Sequence, residues 1–128
     1  GVKTSRCMPP PALPGVPTIT LQKSLAAGSV VVSWNAVVAA AAYDVMRGDV
    51  GTLLSTGGNF SQSARACDAN NVVGTSYTAF DTVAPGSANW YLVRSMNCAG
   101  SGSYDDPSGS GQKASRDAGI AASGYGCP

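Results

Sequence analysis

The sequence contains no histidine and no glutamate, and its only lysines are Lys3, Lys23 and Lys113. Histidine is the usual general base near neutral pH and the commonest metal ligand. Without it, the many serines and threonines have no obvious activating base. A Ser-Lys arrangement would need a lysine beside a particular serine, and nothing in the sequence sets one there. No C-x-x-C pair occurs, which argues against zinc binding and thioredoxin-like redox chemistry. The chain is therefore expected to be no enzyme and to carry no metal or cofactor. Charged residues are scarce, at 12% with a net charge of +1. That leaves no electrostatic footprint for nucleic acid or an anionic membrane. No apolar run approaches the roughly 20 residues that span a bilayer, so no membrane span is expected. The missing glutamate also removes a strong helix former.

What is present suits strands and turns. The chain has 128 residues, 44% of them apolar, with 16 glycines. This is one domain of ordinary size, rich in Gly, Ser, Thr, Ala and Val. Cys7, Cys67, Cys98 and Cys127 are widely spaced and even in number. They read as two disulfides formed in an oxidising compartment, rather than as four buried thiols. The chain opens at Gly1 without a signal-peptide core and reads as a mature exported form. A secreted protein, extracellular or at the cell surface, is expected.

Residues 1–16 hold four prolines and read as an extended N-terminal segment. Strand-like runs then alternate with turn signals at short spacing, the pattern of a sandwich. Ile19 and Leu21 mark a first strand. Val30, Val32 and Trp34 share one face of a second. Ala36 to Ala42 is too short to persist as a helix and reads as a loop. Tyr43 to Met46 is a third strand, and Val50 to Ser55 reads as the returning one. Residues 59–74 read as a long connection containing Cys67. Thr75 to Phe80, the Pro85-Gly86 turn and Trp90 to Asn97 follow. Residues 113–122 are the last expected strand, and 123–128 a C-terminal tail.

Three pieces in this order resemble a fibronectin type III domain: Val30-x-Val32-x-Trp34; Tyr43-Asp44-Val45-Met46-Arg47; and Thr75-Ser76-Tyr77 leading through Pro85-Gly86 to Tyr91-Leu92-Val93-Arg94. The resemblance covers about residues 17–122. It implies an all-β fibronectin type III/immunoglobulin-like β-sandwich with Trp34, Tyr43, Val45, Tyr91 and Val93 in the core. It also implies that Tyr91 is a corner tyrosine whose hydroxyl bonds backbone in the preceding loop. The cysteines, the long 59–74 connection and the Gly-rich loop from Gly100 to Gly111 depart from the family and look like a bacterial secreted variant. The family's topology places Cys67 and Cys98 at one pole, which implies a Cys67–Cys98 disulfide. Cys7 and Cys127 then either pair within the chain or link neighbouring copies.

Other motifs have bland readings that outweigh functional ones. Asp105-Asp106 lacks calcium-loop spacing and reads as turn chemistry. Arg47-Gly48-Asp49 matches an integrin-recognition tripeptide but reads as a turn after the third strand. Asn59-Phe60-Ser61 fits the N-glycosylation sequon and places Asn59 in an exposed loop. Trp90 points away from Tyr91. With Tyr104 and Tyr125 it makes the candidate binding surface, where flat rings could stack on sugar.

The function expected is that of a non-catalytic extracellular structural or adhesion module. It could be the subunit of a filament, with extended tails adding to a neighbour's sheet edge. The principal partners would be proteins, either further copies or neighbouring domains. The alternative is an accessory carbohydrate-binding module of a secreted hydrolase, with glycan as the partner.

Overall fold

The computed structural model describes residues 17–24, 28–81, 83–98, 100–105 and 115–128. The Pro-rich segment 1–16, with Lys3 and Cys7, lies outside the described residues, as do Asp106 and Lys113. In chain order the elements are β1 (Ile19–Lys23), β2 (Val30–Trp34), β3 (Ala42–Asp49), α1 (Val50–Ser55), α2 (Phe60–Ser63), β4 (Ala64–Val72), β5 (Ser76–Ala79), β6 (Asn89–Asn97), β7 (Gly100–Ser101) and α3 (Arg116–Ser123).

The strands form two antiparallel sheets, β1-β2-β5 and β4-β3-β6-β7. The architecture is a fibronectin type III-like β-sandwich. Alternation aims one face of each sheet inward. Val32 and Trp34 of β2, Tyr43 and Val45 of β3, Ala79 of β5, and Tyr91 and Val93 of β6 make the core between the sheets. The Trp34 and Tyr43 rings sit 5.4 Å apart at a tilt. The Tyr43 hydroxyl accepts the Val37 N–H at 2.8 Å, pinning the loop that joins β2 to β3.

The four-stranded sheet is buried on its outer face as well. Met46 of β3, Ala64 of β4, Tyr104 and Ile120 of α3 form a second apolar cluster there, joined by Phe60, Cys67, Trp90, Leu92 and Cys127. For this reason Tyr43, Asp44, Val45 and Met46 are buried in succession, without the alternation of a half-exposed strand.

Three segments differ from the sequence expectation. Val50 to Ser55 is helix α1 rather than a returning strand. Asp49 caps it, accepting from the Thr52 N–H at 2.8 Å and the Thr52 hydroxyl at 2.7 Å. Gly57 and Gly58, both at positive φ, end it. The returning strand is β4, inside the stretch expected to be a long connection. Its pairing with β3 is broken by three register shifts, so no clean alternation marks it in the sequence. The expected last strand over 113–122 is α3 where it is described. Ser115 caps α3 through the Ala118 N–H at 3.2 Å, and Gly124 stops it in the left-handed conformation.

Candidate functional site

The expected binding surface does not assemble. Trp90 does point to the outer face of β6, but that face is covered. Its ring meets Phe60 edge-on at 5.3 Å and lies across the backbone of Gly48. A Cβ at residue 48 would stand 2.0 Å from the indole. Tyr104 is 1% exposed, with the Arg94 guanidinium 5.2 Å over its ring. Burial pushes the Tyr104 hydroxyl far above its usual pKa. Tyr125 alone of the three stays outside, at 51% exposure. The expectation treated the outer face of β6 as solvent, whereas α2, α3 and the C-terminal tail cover it.

The disulfide expectation is also corrected. Cys67 pairs with Cys127, with Cα atoms 4.9 Å apart. Cys67 does not follow the returning strand at a pole. It stands inside β4 opposite Met46, facing outward, where the tail folds back over the sheet. Cys98, just past the end of β6, takes part in a different disulfide. With its sulfur bonded to Cys67, Cys127 cannot pair with Cys7 in either of the expected ways. A buried ion pair reinforces the clamp. Asp44, fully buried, receives Arg94 at 2.9 Å and the Asn71 N–H at 3.0 Å. Arg94 also donates to the Cys127 carbonyl at 3.1 Å.

The short motifs are absorbed by the fold. Arg47, Gly48 and Asp49 are the last three residues of β3 rather than a free turn. Arg47 is ion-paired, Gly48 lies under Trp90, and Asp49 caps α1. Hydrogen bonds from the Thr52 hydroxyl and N–H hold the Asp49 carboxyl below its ordinary pKa. Asn59 caps α2, its side-chain oxygen accepting from the Ser61 N–H at 2.9 Å and the Ser61 hydroxyl at 2.6 Å. The Asp105 carboxylate receives the Arg116 N–H at 2.5 Å and the Ser115 hydroxyl at 3.0 Å. Partial burial would raise its pKa, but these bonds at the start of α3 hold it below the usual range.

Sequence reasoning missed one polar cluster. On the side where β4 meets β5, Arg47 Nε lies 2.9 Å from Asp68 Oδ1 and 3.3 Å from Asp81 Oδ1. The Tyr77 hydroxyl donates to Asp68 at 3.4 Å, and the Tyr91 hydroxyl donates to Asp81 at 3.2 Å. The corner tyrosine thus bonds a side chain of the preceding loop where backbone was expected. Burial first, then the neighbouring aspartates, pushes Tyr77 to about 12. Burial likewise pushes Tyr91 to about 12, so both remain donors. No motif could announce this group, because its members come from β3, β4, β5, β6 and the loop after β5.

Among the described residues, Val38, Leu54, Val73, Phe80 and Val83 are exposed at the two ends of the sandwich, while Leu21 on β1 and Tyr125 in the tail are exposed elsewhere. Where β2, β4 and β6 end, the loops carry Val38 and Val73, 80% and 86% exposed. The Val38 loop includes Ala39 at φ +73°, a conformation that favours glycine. At the other pole, where β3 and β5 end, Leu54, Phe80 and Val83 are exposed. An open groove of about 500 Å³ there is lined by Leu21, Val30, Val83, Lys23, Asp81 and Tyr91. Among the described residues no helix is long and apolar enough to cross a membrane.

No protein-family model and no curated protein matches the chain. Among solved structures, the chain is similar to an Fn3-like protein from Clostridium thermocellum. The identity is 23% and the TM-score 0.49, over 70% of this chain and 82% of that one. The strand order and the register of the two sheets, which do not depend on that likeness, make the chain a fibronectin type III-like β-sandwich.

Proposed function

We propose that the chain is a non-catalytic extracellular module that works through protein–protein contact, as a structural or adhesion element. Its neighbours would be further copies, as in a filament, or adjoining domains. The observation that carries the reading is the placement of exposed apolar side chains at both poles, Val38 and Val73 at one and Leu54, Phe80 and Val83 at the other. End-to-end contact would cover them. Scattered apolar residues need no explanation, but exposed groups gathered at loop tips mark contact surfaces. Cys67, Cys98 and Cys127 are all disulfide-bonded, which supports an oxidising, extracellular setting.

The test is light scattering coupled to size exclusion, at rising concentration and without reductant. The expected result is concentration-dependent association, abolished by Val73→Lys together with Phe80→Lys while the melting temperature stays unchanged. A monomer at every concentration, with no gain or loss in the double variant, overturns the self-association form. Failure of the same variant to weaken capture by adjoining domains overturns the rest.

A further inference from the structure

The cluster of Arg47, Asp68, Asp81, Tyr77 and Tyr91 joins the two sheets at the open side of the sandwich. Arg47 and Asp68 belong to the four-stranded sheet, and Tyr77 belongs to the three-stranded one. Asp81 sits on the chain crossing from β5 to β6. The Asp68 side chain is 6% exposed and that of Asp81 is 21% exposed. Two carboxylate oxygens converge on one guanidinium nitrogen, Asp68 Oδ1 at 2.9 Å and Asp81 Oδ1 at 3.3 Å from Arg47 Nε. Two like charges held against a single cation in a mostly buried site favour a proton on one of them.

We propose that Asp68, held with Asp81 against Arg47, takes up a proton and makes this group a proton-dependent stitch between the two sheets. With the proton in place the group is neutral: one carboxylate, one guanidinium and one carboxylic acid. Without it, two carboxylates face one cation in a largely buried setting, and the pair repels. The charged and titratable groups packed here are Arg47 from β3, Asp68 from β4, Tyr77 from β5, Asp81 from the crossing and Tyr91 from β6. The two tyrosines keep their protons throughout the relevant range, so Asp68 is the group whose charge changes. Burial, followed by the contact with Asp81, pushes Asp68 up to about 6 against the opposing pull of Arg47. A carboxyl whose folded pKa is raised stabilises the fold fully below its unfolded pKa. That contribution is lost as pH rises through the folded value. The stitch is therefore tighter in mild acid than at neutral pH.

The test begins with the wild-type protein, by carboxyl-carbon NMR titration, and continues with urea denaturation across pH. One aspartate should titrate near pH 6, and Asp81→Asn should lower its midpoint. Wild-type stability should fall between about pH 4 and about pH 7, and Asp68→Asn should flatten that fall. The proposal is overturned if every aspartate titrates in the ordinary carboxylate range or if the Asp68 midpoint is unmoved by Asp81→Asn. An equal pH dependence in Asp68→Asn and wild type also overturns it.

Discussion

The four-stranded sheet has two buried faces built on different principles. Its inner face meets the other sheet through Tyr43, Val45, Tyr91 and Val93 and is almost wholly apolar. Its outer face meets no sheet. It is covered by α2, α3 and the tail, and it mixes apolar packing with a buried Asp44–Arg94 pair and the Cys67–Cys127 bond. The contrast follows from how each cover is held. Strands of a sandwich hold one another through long hydrogen-bonded ladders. A four-residue helix, an eight-residue helix and a tail bury too little to stay down alone, so a covalent bond and a charge pair supplement the packing.

The largest test strikes both faces equally hard by different means. Trp34→Ala removes an inner ring and should cost about 3–5 kcal/mol through the cavity it leaves. Arg94→Ala should cost about the same, because it strands the fully buried Asp44 carboxylate. The two mechanisms separate in the double variant Asp44→Leu, Arg94→Met. Removing both charges should recover much of the Arg94→Ala loss, as read by urea denaturation. No such recovery would mean that the pair is not what holds the outer face.

Cys127→Ser comes next, at about 2–4 kcal/mol. The expected signature is selective: limited proteolysis should cut near α3 while the sandwich keeps its near-ultraviolet circular dichroism. Simultaneous loss of both faces would show that the covers are one cooperative unit. Gly48→Ala should cost about 1–3 kcal/mol, since its Cβ would overlap the Trp90 ring and force it outward. Trp90 fluorescence would shift accordingly. Tyr125→Ala should lie within about 0.5 kcal/mol of wild type, because that ring is half exposed and outside both clusters.

The sandwich was legible where strands alternate against a single apolar layer. In β2, Val30, Val32 and Trp34 share a face, and β6 announces itself from Trp90 to Asn97. The errors cluster on the second layer. Alternation along β6 puts Trp90 opposite Tyr91, yet nothing local says that Phe60 lies against it. Helix α3 carries its own local signals, Ser115 before it and Gly124 after it, which the strand reading of 113–122 does not use. Strand β4 carried almost none, since its bulges break the alternation by which a strand is recognised. The candidate contact residues at the poles were invisible for a different reason: exposure of Val38, Val73 or Phe80 depends on whether a loop tip folds back, which composition does not encode.

By itself the sequence determined the class of fold. Local alternation, the Pro-Gly turn and the scarcity of charge need only neighbouring residues to act, and they act the same way in any compact arrangement. The tertiary structure alone decided which cysteines meet, which aromatics are covered and which aspartates face one arginine. These depend on side chains brought together from distant strands, such as Arg47 with Asp68 and Asp81, and on a tail that returns across a sheet. Contacts of that kind are set by the packing of the whole chain, because each exists only when every other element is in place.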